Sequence, residues 1–205
     1  KRQAISDVEF DNGVFRIIGT DRVQTFHEVA KAAATDDDVA FDEKESFAPE
    51  EATYPNGTHV CELEIDKATG KIEIVDYTVV DDFGNVINPL LLEGQVHGGI
   101  GQGLGQALLE SCQYESDSGQ LLSASFMDYT MPRADDFPPI RFDLNKVPCK
   151  TNPLGIKGAG EAGAIGAPPA IINAIVNALK DHGVRHVDMP VTPNRLWNIM
   201  QSASV

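Results

Sequence analysis

Basic residues are scarce in this 205-residue chain, which carries 16 Lys and Arg against 31 Asp and Glu, a formal net charge of −15. No basic stripe exists to neutralise a phosphate backbone, so nucleic acid is excluded as a partner and an anionic membrane surface is disfavoured. Cysteine is sparse too. Cys61, Cys112 and Cys149 are far apart and form no C-x-x-C pair. Zinc or iron–sulfur ligation by this chain alone is therefore not expected, and the odd count argues against a disulfide framework. Aromatic residues make up only 7%. An apolar run of the roughly 20 residues needed to cross a bilayer is not expected; the stretch Asn88-Pro-Leu-Leu-Leu92 is soon broken by Glu93 and Gly94. No signal-peptide pattern is seen. The chain opens on Lys1 rather than Met and is read as a piece of a longer protein. Together these absences predict a soluble, cytoplasmic protein in a reducing compartment.

What is present suffices for a core, with 42% of residues hydrophobic. The acidic excess is uneven: residues 1–82 hold 20 acids and 8 bases, the remainder 11 and 8. Val14–Gly19 reads as a strand, and Thr25-x-x-Glu28 as a capping box opening a helix over Phe26–Ala34. The acid-rich stretch 35–57 reads as an irregular, solvated segment. His59–Asp66 alternates, with Cys61, Leu63 and Ile65 on one face and Glu62, Glu64 and Asp66 on the other. The turn Lys67-Ala-Thr-Gly70 then leads into a second strand, Lys71–Val80. Leu121–Met131 and Arg141–Val147 are further strand candidates. A helix is expected with Pro168 or Pro169 in its first turn and Gly183 at its end, followed by a strand over Val184–Met189. A last helix is capped by Thr192 and opened by Pro193. The mixture predicts an α+β fold. It divides into an acidic, partly irregular segment 1–54, with one strand and one helix, and a domain 55–205.

Two glycine clusters need a reason. Between residues 94 and 105 a helix-like pattern contains six glycines. At about 0.8–1 kcal/mol each relative to alanine, these cost on the order of 5 kcal/mol. Either the helix packs tightly on another backbone, or a ligand lies against it with Gln95, His97 and Gln102 supplying hydrogen bonds. His97 has no acid or cysteine partner at metal-ligand spacing, and reads as a packed or surface side chain. The second cluster, Asn152–Pro169, sets Lys157 and the carboxylate of Glu161 in a glycine-rich turn. Side-chain-free neighbours would let a substrate or cofactor approach Glu161, and partial desolvation would suit it to general-base work. A surface glutamate at a helix N-terminus is the alternative. The same residues, Gly158-x-Gly160-x-x-Gly163, match a dinucleotide fingerprint with Asp188 downstream. That motif should follow directly on a buried strand, and here Pro148 and Pro153 precede it.

Five stretches occur in a characteristic order: Asp81-Asp-Phe-Gly-Asn-Val-Ile-Asn-Pro89, Glu93-Gly-Gln-Val-His-Gly-Gly99, Phe126-Met-Asp-Tyr-Thr-Met-Pro132, Asn152-Pro-Leu-Gly-Ile-Lys-Gly-Ala-Gly-Glu161 and Met189-Pro-Val-Thr-Pro-Asn-Arg-Leu-Trp197. In these the chain, over roughly 55–200, resembles the C-terminal part of the molybdenum-binding large subunit of the xanthine dehydrogenase/aldehyde oxidase/aerobic carbon monoxide dehydrogenase family. The resemblance implies a molybdopterin cofactor, expected as the cytosine dinucleotide, with Glu161 as general base. The oxidation would use water-derived oxygen on a small substrate: carbon monoxide, an aldehyde or an N-heterocycle. It implies Gln95 as a cofactor contact, with Gly98 and Gly99 admitting the cofactor, and Lys157 and Gly160 as further contacts by position. FAD and [2Fe-2S] clusters are expected on partner subunits, together with the remainder of the molybdenum subunit. This chain alone is expected to be inactive. Two other readings remain open: a dinucleotide-binding module at Gly158–Gly163, and an acidic assembly domain without chemistry.

Overall fold

The computed structural model describes residues 4–35, 44–49 and 51–203. The chain falls into two compact units, 1–48 and 49–205. In the first, strands β1 (Val8–Asp11), β2 (Val14–Ile17) and β3 (Val23–Thr25) form an antiparallel sheet in that order, followed by helix α1 (Phe26–Ala33). The β1–β2 turn is Asn12-Gly13, both with positive φ (48° and 79°), the conformation that lets two residues join twisted strands. The capping box expected at Thr25 is present: Glu28 N–H donates to Thr25 Oγ1 and Thr25 N–H donates to the Glu28 carboxylate. Of the acidic stretch 35–57, Asp36, Asp37, Asp38, Asp42, Glu43 and Glu50 lie outside the described residues; Glu45 and Glu51 are exposed and in neither helix nor strand.

In the second unit, β4 (Asn56–Ile65) and β5 (Ile72–Asp82) form the expected antiparallel hairpin, with a register irregularity at Glu62/Leu63. At the turn Asp66 accepts from the Ala68 N–H and the Thr69 hydroxyl, and Gly70 adopts φ +73°. A side chain at Gly70 would lie 2.2 Å from the Pro193 carbonyl oxygen. Strand β6 (Ile140–Leu144) lies parallel to β5 on its other side, giving the order β4-β5-β6. Helix α2 (Pro89–Leu104) is capped by the Asn88 side chain and runs into a π-helical turn, Gly105–Leu109. Helix α3 (Ala162–Leu179) packs on α2 and β4, and α4 (Pro193–Ser202) is capped by Thr192 as expected. Tyr77, Val79, Val96, Ile100, Ile171, Ile175, Leu196 and Met200 form the centre of the core. The fold is α+β.

Five expectations fail. The segment 1–54, expected to hold one strand, has three among its described residues, and the two units divide at 48/49 rather than 54/55. Leu121–Met131 is not a strand: beyond one bridge, Tyr114 to Leu121, the segment turns, with Asp128 and Tyr129 N–H groups donating to the Ser125 carbonyl. Val184–Met189 has strand composition but pairs with no strand among the described residues. Val184 and Val187 are instead buried as single anchors. Helix α3 begins six residues before Pro168, so both prolines are interior, although each removes an N–H donor from the helix. The Pro168 ring lies against Gly103 of α2. Finally, α3 with the turn that follows it, Ala162–His182, is long and apolar enough by composition to cross a bilayer, against the expectation of no such run. Its buried residues Gly163, Ala167, Ile171, Ile175 and Leu179 lie on one stripe in the core, the behaviour of a core helix.

Part of the glycine burden is explained by the α2–α3 crossing. A Cβ on Gly163 would lie 2.4 Å from the Val96 carbonyl oxygen, and one on Gly99 would lie 2.9 Å from the Ala164 nitrogen. One on Gly103 would lie 2.7 Å from the Ala167 Cβ. Small residues four apart on each helix thus bring the two backbones together. Because the obstructing atoms at Gly163 are backbone, Gly163→Ala is expected to lower unfolding stability by about 3 kcal/mol in urea titrations.

Candidate active site

A cavity of about 330 Å³ opens between the β4–β5 hairpin and the start of α3; Thr53, Asn56, His59, Asp81, Gly160 and Glu161 are among its lining residues. Glu161 is the N-cap residue of α3 (φ −117°, ψ −4°), its side chain exposed and its carbonyl accepting from the Ile165 N–H at 2.9 Å. It therefore meets both descriptions the sequence allowed, standing at a helix N-terminus and at the mouth of a cavity. Gly158 and Gly160 beside it have no heavy atom within 4 Å of where a Cβ would stand.

Lys157 does not line this cavity. Its ammonium donates to Asp82 Oδ2 at 2.6 Å in a buried ion pair, and its N–H donates to the Phe83 carbonyl. Asp82 Oδ1 also accepts from Gly84 and Val147 N–H groups. Burial alone would push the Asp82 carboxyl up; the hydrogen bonds from Lys157, Val147 and Gly84 and the Lys157 charge outweigh it, bringing the value down to about 2. The pair ties the glycine-rich turn to the end of β5, so Lys157 holds the turn that carries Glu161.

On α2, Gln95 and Gly98 are exposed and lie outside the cavity. Gly94 and Gly98 face open space, with no heavy atom within 4 Å of a Cβ position, whereas Gly99 is occupied by the crossing with Gly163. The two candidate explanations for the first cluster thus divide by residue: Gly99 and Gly103 serve packing, while Gly94 and Gly98 leave one helix face bare beside Gln95. Neither that face nor the turn at Gly158 and Gly160 carries a side chain that would obstruct a planar group such as a pterin. His97 packs edge-on to Phe142 (6.5 Å between centroids) with its Nε2 buried and without a hydrogen-bond partner; against the sequence expectation, an acid does stand at helical spacing from it, Glu93, at 4.0 Å.

The dinucleotide fingerprint fails on context. Ile156 makes only an isolated bridge with Gly84, and no strand leads into Gly158. Asp188 is exposed, outside any strand, and bonded to His186 and Arg195. Among the described residues no group of three or more His, Cys, Asp or Glu could hold a metal ion.

Sequence reasoning missed His59 and Asp81. Asp81 is 2% exposed, its Oδ2 has no hydrogen-bond partner and its Oδ1 is 3.6 Å from His59 Nε2. His59 Nδ1 is 2.8 Å from the Tyr77 hydroxyl. The available signal was the acidic pair Asp81-Asp82, which ends strand β5 directly after Val79-Val80.

The profile of the molybdopterin cofactor-binding domain matches residues 2–138, so the likeness extends into the first unit, beyond the 55–200 read from motifs. The chain is 36% identical over 155 residues to the carbon monoxide dehydrogenase large chain of Hydrogenophaga pseudoflava, covering 76% of this chain and 19% of that one. It is 36% identical over 141 residues to the xanthine dehydrogenase molybdenum-binding subunit of Escherichia coli O157:H7, covering 69% and 18%. The structure superimposes on quinoline 2-oxidoreductase from Pseudomonas putida 86 with a TM-score of 0.84 and 34% identity, over 97% of this chain and 26% of that one. The chain thus spans about a quarter or less of the length of these proteins.

Proposed function

The chain belongs to the molybdopterin cofactor-binding domain family, and from that membership we propose that it forms part of the catalytic subunit of a molybdenum hydroxylase, with Glu161 as its general base. The observation that carries this reading is the placement of Glu161 at a cavity mouth directly after Gly158 and Gly160, whose missing side chains leave open space. When bound, a molybdenum–pterin group supplies the two-electron oxidation of the substrate. Glu161 accepts the proton at its carboxylate, and Gly158 and Gly160 keep the approach to that carboxylate clear. Gln95 hydrogen-bonds the cofactor from the bare face of α2, where Gly98 admits it. Gly99 and Lys157 act one step back, holding α3 and the turn in place. The cofactor form we expect is molybdopterin cytosine dinucleotide, and the substrate class is carbon monoxide, an aldehyde or an N-heterocycle. The remainder of the molybdenum subunit, an iron–sulfur subunit and an FAD subunit complete the complex. Isolated, the chain is expected to be inactive.

The test is Gly98→Leu in the complete enzyme. Leucine favours a helix by about 0.8 kcal/mol over glycine, and here it meets no neighbour, so the fold is retained. Molybdenum and pterin content is expected to fall at least about tenfold, the loss that an obstructing side chain worth about 1.4 kcal/mol produces. Full cofactor content in a folded Gly98→Leu enzyme would contradict the placement of the cofactor on this face.

A further inference from the structure

The costliest unexplained feature of the second unit is the chain Tyr77–His59–Asp81. A buried carboxylate with one unpartnered oxygen is destabilising, and apolar side chains would fill the same hairpin positions without that cost. Two glycines also make room for it. A Cβ on Gly57 would lie 1.8 Å from Asp81 Oδ1, and a Cβ on Gly166 would lie 2.5–2.6 Å from three atoms of the His59 ring. The imidazole of β4 therefore sits directly on the backbone of α3. Gly166 is five residues after Glu161, within the first turn and a half of that helix.

From this geometry we infer that His59 is a positioning residue for Glu161: the ring, seated on Gly166 and oriented by Tyr77 and Asp81, sets where α3 begins relative to the hairpin. The inference rests on the reading of Glu161 as base. Burial holds the Tyr77 hydroxyl above its usual range, so it keeps its proton, and it lies 2.8 Å from His59 Nδ1. Nε2 faces the Asp81 carboxylate at 3.6 Å; a carboxylate can only accept, so the tautomer with its hydrogen on Nε2 and Nδ1 accepting from Tyr77 satisfies both neighbours. A shift of His59 moves Gly166, and with it the Ile165 N–H bonded to the Glu161 carbonyl.

Two variants test this. Gly166→Ala drives a methyl into the ring, and Tyr77→Phe removes the orienting hydroxyl while keeping the packing. In the complete enzyme, Gly166→Ala is expected to lower kcat roughly 100-fold, the cost of about 1 Å of misplacement. Tyr77→Phe should lower it about 3- to 10-fold, the worth of one hydrogen bond. KM and molybdenum content should stay near the parent values in Tyr77→Phe, a split between kcat and KM that a merely structural role would not give. Independently of turnover, hydrogen exchange of the Ile165 amide in the complete enzyme should quicken about tenfold in Tyr77→Phe. Unchanged Ile165 exchange overturns the inference. So does unchanged kcat in both variants while Glu161→Gln is inactive. If Glu161→Gln itself keeps its turnover, the reading of Glu161 as base fails, and the exchange result alone decides whether His59 positions the turn.

Discussion

Glu161→Gln in the complete enzyme is expected to lower kcat by roughly 10²–10⁴-fold, the usual contribution of a positioned general base, with molybdenum and pterin content unchanged. Glutamine keeps the size and hydrogen-bonding reach of the side chain but cannot accept the proton. Because the side chain is exposed at the cavity mouth and makes no cap to α3, the substitution breaks no fold contact, and Tm should stay within about 1–2 °C, as for a surface change. Single-turnover kinetics with cofactor analysis separates the two quantities. Turnover within twofold of the parent would remove Glu161 from the chemistry.

Lys157→Met in the 205-residue chain is expected to lower unfolding stability by about 3 kcal/mol at pH 7, at the lower end for breaking a buried ion pair. Two backbone N–H groups still compensate Asp82, from Gly84 and Val147. The pH dependence gives the sign. The Asp82 carboxyl is lowered from 3.8 to about 2 in the folded protein. Its contribution, about 2 kcal/mol, is therefore fully present above pH 4–5 and disappears as pH falls through about 2. In Lys157→Met the burial effect is no longer outweighed by the ammonium, so this acid-linked loss should shrink. Urea titrations at pH 7 and pH 3 check both statements. Equal stability of the two proteins at pH 7 would show that the turn does not depend on the pair.

Much of this arrangement could be read from local pattern. In the β4–β5 hairpin, β4 alternates from His59 up to the Asp66–Gly70 turn. Thr25 and Thr192 announce their helices because a capping hydroxyl acts within three residues. The Asn12-Gly13 turn carries equally local information, two adjacent residues with positive φ. What escaped was non-local. Pro168 and Pro169 look like a helix start, and only the contact with Gly103 on another helix explains why they lie inside one. Val184–Met189 has the composition of a strand, but a strand needs a neighbour. The parallel placement of β6 depends on a crossover through α2 that no local signal encodes. For the site, Glu161 and its glycines were visible because they are adjacent in sequence. His59, Asp81 and Gly166 were not, since 22 residues separate the first two and 85 the last two. Lys157 illustrates the same limit: it is a neighbour of Glu161 in sequence, but its ammonium points to Asp82, away from the cavity.

The most direct measurement is native mass spectrometry of the complex purified through a tagged copy of this chain from its own cells. The account predicts a molybdenum–pterin dinucleotide retained with iron–sulfur and FAD subunits. A chain recovered without molybdenum, alone or holding a nicotinamide dinucleotide, would contradict it.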